Sequence, residues 1–414
     1  MKNYIMKKIL ENIQIKRREK WNYMELTNKQ YAGLKIAIQR YNEKQPYTCI
    51  AGYAGTGKST LVKFIVSALN ISERDVCYVA YTGKAAKVLR EKGCPNAMTA
   101  HRLLYQSFPR NDGTFYHKPK RPLDWQYKLI VVDEISMLPK ELWDLLLSHN
   151  IPVICLGDPF QLPPIGEDNG VLYNPHIFLD EIMRQAQESE IIRLTMDIRE
   201  GKPLKPFKGK EVQVIKPEEI VGGMYGWADQ IICAKNITRR TINSQMRKML
   251  FDTEDDIPLV GDKVISLRNS WETITEMGDP LINGAIGTIS NIRINEYHPF
   301  LHPQLLWDFL PEDYTDEDVK KSPLDLSFRD LNVDYKLLTT GEETVNAKNF
   351  KKFPKDFRPL TFDYGYCITC HKSQGSEYNK LLVFEEHLKG GDHARWLYTA
   401  ATRAKEKLVI VRSN

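Results

Sequence analysis

The chain has 414 residues, 42% of them hydrophobic, which is enough for two or three packed domains. Its 58 basic and 53 acidic side chains nearly cancel to a net charge of +5, so overall charge neither demands a polyanionic partner nor excludes one. No run approaches the roughly 20 apolar residues of a membrane span. Seven irregularly spaced cysteines without a secretory leader predict a reducing, cytoplasmic location and no membrane partner.

Residues 1–25 read as a basic N-terminal extension. A helix is expected next, opened by Thr27 and Gln30 at the S/T-x-x-Q spacing of a capping box. A β-rich run at 47–51 leads into Gly52-Tyr-Ala-Gly-Thr-Gly-Lys-Ser-Thr60, a complete G-x-x-x-x-G-K-[ST] phosphate loop, and 61–66 continues as a helix. Gly52, Gly55 and Gly57 let successive N–H groups turn inward on phosphates at a helix N-terminus that already favours negative charge. Lys58 would reach the β- and γ-phosphates and the Ser59 hydroxyl would face Mg²⁺. Ala54, Thr56 and Thr60 complete the nucleotide-binding set.

Strands are expected at 75–80, 128–132 and 152–156, alternating with helical stretches as in a parallel α/β sheet whose ligands bind at the strands' carboxyl ends. Asp133 and Glu134 follow the strand at 128–132. Asp133 would hold Mg²⁺ and Glu134 would orient and deprotonate the attacking water. Gly157-Asp-Pro-Phe-Gln161-Leu-Pro-Pro164 ends the next strand, where the uncharged Gln161 would hydrogen-bond the γ-phosphate or the water. Within 105–122 the turn signal Asn111-Asp112-Gly113 between aromatic-bearing flanks predicts a small hairpin.

The second half repeats the α/β pattern, with strands at 230–234, 365–369, 381–385 and 407–411 and helices at 239–250 and 395–403. An irregular, partly acidic stretch at 291–359 reads as a β-rich insertion. The expected domains are therefore 26–178, then 179–290 with 360–414, and the insertion at 291–359. Cys367-Ile-Thr-Cys-His371 matches haem and zinc patterns, but the chain offers no second C-x-x-C to complete a zinc site and no export signal.

Taken in order, these motifs resemble those of superfamily 1 DNA helicases of the RecD/Dda branch, the 5′-to-3′ group, and most of all the small phage Dda type. The resemblance covers nearly all of 26–412. It also rests on Ala80-Tyr-Thr-Gly-Lys-Ala-Ala86, Thr99-Ala-His-Arg-Leu103, Leu179-Asp-Glu-Ile-Met-Arg-Gln185, Asn283-Gly-Ala-Ile-Gly287, Thr369-Cys-His-Lys-Ser-Gln-Gly-Ser-Glu377 and Leu397-Tyr-Thr-Ala-Ala-Thr-Arg403. It implies two RecA-like domains, with an SH3-like accessory domain at the insertion, acting as a monomer that hydrolyses ATP with Mg²⁺ and moves on single-stranded DNA to open duplex or forked DNA. Replication or repair proteins would be further partners.

The resemblance also assigns residues. Gln30 would pair with adenine, a role that can coexist with the capping box. Arg184 and Arg403 would act as arginine fingers on the γ-phosphate. Gln374, Gly375 and Glu377 would meet the γ-phosphate side and the ribose, with Cys367 and Cys370 absorbed into the preceding strand. Thr82, Lys84 and His101, with Thr369, His371, Lys372 and Ser373, would contact the nucleic-acid backbone. Phe108, Phe115 and Tyr116 are the candidates for stacking or for a strand-separating pin. The same motifs are open to a translocase or an RNA helicase of the superfamily, since 2′-hydroxyl contacts are not legible in them. An unrelated P-loop GTPase or kinase would leave 179–403 unexplained.

Overall fold

The computed structural model describes residues 26–109, 115–120, 127–163, 167–276, 280–295, 304–312, 326–346, 348, 358–387 and 393–412. Two parallel sheets dominate it. In the first, six strands run in the spatial order Ala97–Thr99, Val76–Ala80, Leu129–Val132, Val153–Gly157, Tyr47–Gly52 and Ile177–Leu179. The central strands read as continuous apolar runs, such as Leu129-Ile-Val-Val132, because helices cover both faces and leave no solvated side to alternate toward. The phosphate loop, Asp133 and Asp158 each follow the carboxyl end of one of these parallel strands, so topology alone gathers them on one edge.

The second sheet has the order Cys367–Thr369, Gln230–Cys233, Tyr378–Phe384, Ala404–Val411, Val212–Ile215 and Phe207–Lys208, parallel except for the last strand. Its helices Glu190–Arg199 and His393–Ala401 pack on each other and on Ala404–Val411. Ile191, Leu194 and Ile198 meet Trp396, Leu397 and Ala400 in one buried cluster.

A five-stranded sheet, antiparallel throughout, joins Phe328–Val333, Gln304–Pro311, Ile286–Asn295, Lys263–Ser266 and Phe362–Tyr364. Gln304–Pro311 alternates half-buried and buried residues, the pattern of a strand with one face on a core. Trp307, Phe309, Phe328 and Phe362 fill that core. The β-rich region therefore begins at Lys263 and ends at Tyr364, wider than the 291–359 expected. An apolar Val264-Ile265 pair fits a strand of either sheet, so the sequence does not separate this strand from the preceding domain. Ile177–Leu179 pairs with Tyr47–Gly52, so Leu179, expected to open the second domain, closes the first sheet instead.

Tyr105–Pro109 and Phe115–Pro119 pair antiparallel, with Phe108 opposite Tyr116. The turn Asn111-Asp112-Gly113, the basic extension 1–25 and Pro164 lie outside the described residues. No helix among the described residues is long and apolar enough to cross a membrane.

Candidate nucleotide and nucleic-acid sites

Gly52 ends its strand, and Gly57, at φ 77°, starts the helix Lys58–Ala68 without a side-chain cap, so its first N–H groups are left to a ligand. Gly55 also has a positive φ, of 76°. Space is a second constraint: a Cβ on Gly52 would lie 2.7 Å from Leu179 O, and one on Gly57 would lie 2.6 Å from Gln30 Nε2. Lys58 Nζ donates to the carbonyls of Gly52 at 2.7 Å and Tyr53 at 2.9 Å, which points it along the inside of the loop. Burial lowers the Lys58 pKa, against the opposing pull of Asp158, Asp133 and Glu134. Ser59 and Thr60 follow on the first helical turn, and Ser59 is exposed.

Asp133 leaves its strand with its N–H bonded to Val79 O at 2.8 Å, and its Oδ1 accepts the Glu134 N–H at 3.0 Å. Burial raises the Asp133 pKa to about 6, Glu134 adds to the rise and Lys58 opposes it. Glu134 has φ 49°, a left-handed backbone that costs a non-glycine residue about 1 kcal/mol and marks a constrained position. Glu134 Oε1 accepts from Arg403 Nη1 of the second domain at 3.0 Å, while Oε2 is buried with no hydrogen-bond partner among the described residues. The Arg403 guanidinium, 4% exposed, is further held by the Thr399 carbonyl and the Thr402 hydroxyl.

Gln161 is buried with its Oε1 likewise unpartnered among the described residues. Each of these two buried oxygens is an acceptor that a bound water could satisfy by donating to it. The Gln374 side chain reaches the backbone of the same loop, Nε2 donating to Leu162 O at 2.9 Å. Gly375 has φ 75° and a Cβ there would lie 3.1 Å from Thr82 Oγ1, so its main chain passes close to the first domain. Glu377 is paired with Lys92 across the cleft at 3.1 Å and with Lys405 at 3.5 Å. It lines a small pocket of about 40 Å³ together with Asp133, Glu134 and Arg403.

Gln30 is 1% exposed, and its amide is committed on both sides. Its Oε1 accepts the Thr27 N–H at 3.0 Å, completing the capping box, and its Nε2 donates to Thr56 O at 3.0 Å and Met183 Sδ at 3.2 Å. In this arrangement Gln30 braces the phosphate loop. The segment carrying Arg184 docks on the same loop, with Met183 N–H donating to Gly55 O at 3.0 Å. The Arg184 side chain is outside what the structure describes.

A second cavity, of about 310 Å³, opens between the two parallel-sheet domains and the antiparallel one. Thr82, Thr99 and His101 line it from the first domain, His371 and Lys372 from the second, and Asn269, Ile282 and Asn283 from the antiparallel one. Thr82 and Thr99 are helix N-caps whose Oγ1 atoms accept the N–H groups of Ala85 and Arg102, each at 3.2 Å. Capping uses a lone pair and leaves each O–H proton available to donate. Burial lowers the His371 pKa. Burial, with Arg239 adding and Asp363 opposing, takes Lys372 down to about 8.

The remaining expected contacts divide. Lys84 lies over the Tyr378 ring, 4.5 Å from its centroid, bridging the domains rather than lining this cavity. Ser373 is fully buried and its Oγ donates to Cys370 O at 2.7 Å, so the hydroxyl is turned into the fold. Thr369 N-caps the helix Cys370–Ser373 without a side-chain bond. Phe108 is half-buried in the hairpin, and the side chains of Phe115 and Tyr116 are outside the description. Cys367 and Cys370 are buried free thiols.

Sequence reasoning missed Asp158, Tyr398, Asn269 and Ile282. Asp158 carried a signal, being a carboxylate directly after a strand on the edge that bears Asp133. Ile282 carried none, because it reaches the cavity wall through tertiary packing, so close to Gly83 that a Cβ there would come within 2.1 Å of Ile282 Cδ1.

A phosphate loop and a carboxylate edge on one RecA-like sheet, faced by an arginine from a second, define a two-domain P-loop NTPase. An AAA domain family model matches residues 26–215 and a UvrD-like helicase C-terminal domain matches 364–411, together more than half of the chain. The chain is 23% identical over 442 residues to the ATP-dependent DNA helicase dda of Enterobacteria phage T4, covering 94% of this chain and 99% of that protein. It is 25% identical over 388 residues to the ATP-dependent RecD2 DNA helicase of Deinococcus radiodurans, covering 86% of this chain and 46% of the relative. A Pif1 helicase structure from work on DNA unwinding at forked duplexes shares the fold, with TM-score 0.51 and 18% identity over 94% of this chain and 92% of the other. The Bacteroides Pif1 helicase in complex with ADP-AlF3 and ssDNA does so too, with TM-score 0.50, 18% identity and the same coverages. Across nearly its whole length the chain thus resembles superfamily 1 DNA helicases of the RecD/Dda branch.

Proposed function

We infer that this protein is an ATP-dependent DNA helicase that translocates 5′ to 3′ on single-stranded DNA and separates duplex strands. The observation that carries the reading is the Arg403–Glu134 pair, which sets a second-domain guanidinium against the carboxylate that would handle water, on the edge that bears Lys58. ATP would lie along Gly52 to Thr60. Ser59 and Asp133 would hold Mg²⁺, which neutralises phosphate charge when bound, and the buried Asp133 carboxyl beside Glu134 suits a site built to receive a cation. Glu134 would take a proton from the attacking water while Gln161 orients it, and Arg403 would exchange Glu134 for charge developing on the γ-phosphate. Arg184 would supply the second guanidinium.

Single-stranded DNA would run through the 310 Å³ cavity, its phosphates met by Thr82, His101, His371 and Lys372. Because the cavity walls belong to domains that also close on ATP, a change in domain spacing alters the grip on the strand, which hydrolysis can turn into movement. The hairpin at 105–119 would split the duplex and the antiparallel domain, SH3-like in position, would brace it. The protein would act as a cytoplasmic monomer alongside replication or repair proteins.

Unwinding of duplexes with a 5′ or a 3′ single-stranded tail tests the reading. Strand separation requiring ATP and a 5′ tail is the expected result. Single-strand-stimulated hydrolysis with no separation from either tail would make it a translocase, and stimulation by RNA alone would make it an RNA enzyme.

A further inference from the structure

Tyr398 projects from the second-domain helix His393–Ala401 into the first domain and is 1% exposed. Its hydroxyl joins two groups there. It accepts the Ala54 N–H of the phosphate loop at 3.0 Å and donates to Asp158 Oδ2 at 2.5 Å. The other Asp158 oxygen accepts the Phe160 N–H at 2.9 Å, and the Phe160 ring packs edge-on against Tyr398 with centroids 5.1 Å apart. Burial, reinforced by Asp158, holds the phenol well above its ordinary pKa, so it remains a donor at any working pH. The next residue, Thr399, accepts the Leu162 N–H at 2.9 Å, which fixes the helix to the same loop independently of the phenol.

Ala54 N–H lies within the run of backbone donors that a loop of this type offers to phosphate. One N–H cannot serve the phenol and a phosphate oxygen together. We propose that Tyr398 is a positioning residue that competes with the nucleotide's phosphates for the Ala54 N–H, so that seating a nucleotide exchanges a domain-to-domain hydrogen bond for a domain-to-ligand one. The inference rests on ATP occupying this loop. It gives the second domain a means of registering nucleotide that is separate from the two arginines: the Asp158 bond keeps the phenol in place while the tie to the loop is released.

Tyr398→Phe keeps the ring and its Phe160 contact and removes only the hydroxyl. Full-length protein is titrated with a fluorescent ADP and with a non-hydrolysable ATP analogue, without DNA. The variant should bind both about three- to tenfold more tightly, the effect of deleting one net competing hydrogen bond. Unchanged affinity overturns the competition, and weaker affinity overturns it by making the phenol a phosphate ligand. Thermal melts separate a general loss of stability from the proposed effect: saturating ADP should raise the variant's Tm by more than the wild type's, and an equal rise counts against the proposal. Wild type that binds neither nucleotide would overturn the ATP assignment itself.

Discussion

Lys372 combines a cavity position with a pKa pushed down to about 8, and that pairing has a measurable consequence. A lysine with a lowered pKa carries its charge below that pH and loses it above, so its attraction to phosphate fades as pH rises through about 8. Single-strand affinity should therefore fall between pH 7 and 9. In Lys372→Ala that pH dependence should flatten, with affinity at pH 7 down about tenfold and the salt slope reduced by about one. Fluorescence anisotropy with a labelled oligonucleotide at several pH and salt values checks this, and an unaltered pH profile in the variant would remove Lys372 from the contact set. Glu134 and Gln161 show the complementary case. Their buried oxygens, Glu134 Oε2 and Gln161 Oε1, have no hydrogen-bond partner among the described residues, a cost that a donor from bound water would relieve.

At the scale of elements, the joint between the second domain and the antiparallel sheet rests on a buried ion pair. Arg247, on the helix Asn236–Phe251, meets both oxygens of Asp262 at 3.0 and 3.1 Å, and these side chains are 3% and 0% exposed. The Tyr366 hydroxyl and the Leu259 N–H also donate to Asp262, at 2.9 and 2.8 Å. Arg247 further donates to the carbonyls of Asp255 and Ile257 and lies over the Tyr364 ring. With every polar group satisfied the pair is tolerable, whereas breaking it strands a buried guanidinium. Asp262→Ala should cost about 3–5 kcal/mol in urea unfolding, and a loss below about 1 kcal/mol would show that the network is solvated.

Across the whole molecule, the nucleotide cleft and the larger cavity share their walls. Gln374 lines the cavity and bonds the loop bearing Gln161, and Gly375 sits against both Thr82 and Glu134. Lys92–Glu377 and Lys84–Tyr378 tie the same two domains together. Sites coupled through one interface must affect each other equally in binding free energy. The factor by which a non-hydrolysable ATP analogue changes the Kd for single-stranded DNA should thus equal the factor by which DNA changes the Kd for the analogue, with a value of about 5 to 150. A factor of one in both titrations would mean that the domains do not transmit nucleotide binding to the strand.

The sequence by itself determined the parallel α/β class, the phosphate loop, the carboxylate edge and the Thr27–Gln30 cap. Each of these is local: strand runs end at motifs, glycines permit positive φ, and helix caps act over three residues. Only the tertiary structure decided that Gln30 braces Thr56, that Ser373 faces inward, that Lys84 lies on Tyr378, and that Arg403 meets Glu134. It also decided that the antiparallel sheet starts at Lys263 and that Asp158 and Tyr398 join the phosphate loop. Those outcomes depend on which faces of separate elements come together, and bonds such as Ala54–Tyr398, Asp158–Tyr398 and Glu134–Arg403, between residues more than two hundred positions apart, leave no periodicity along the chain.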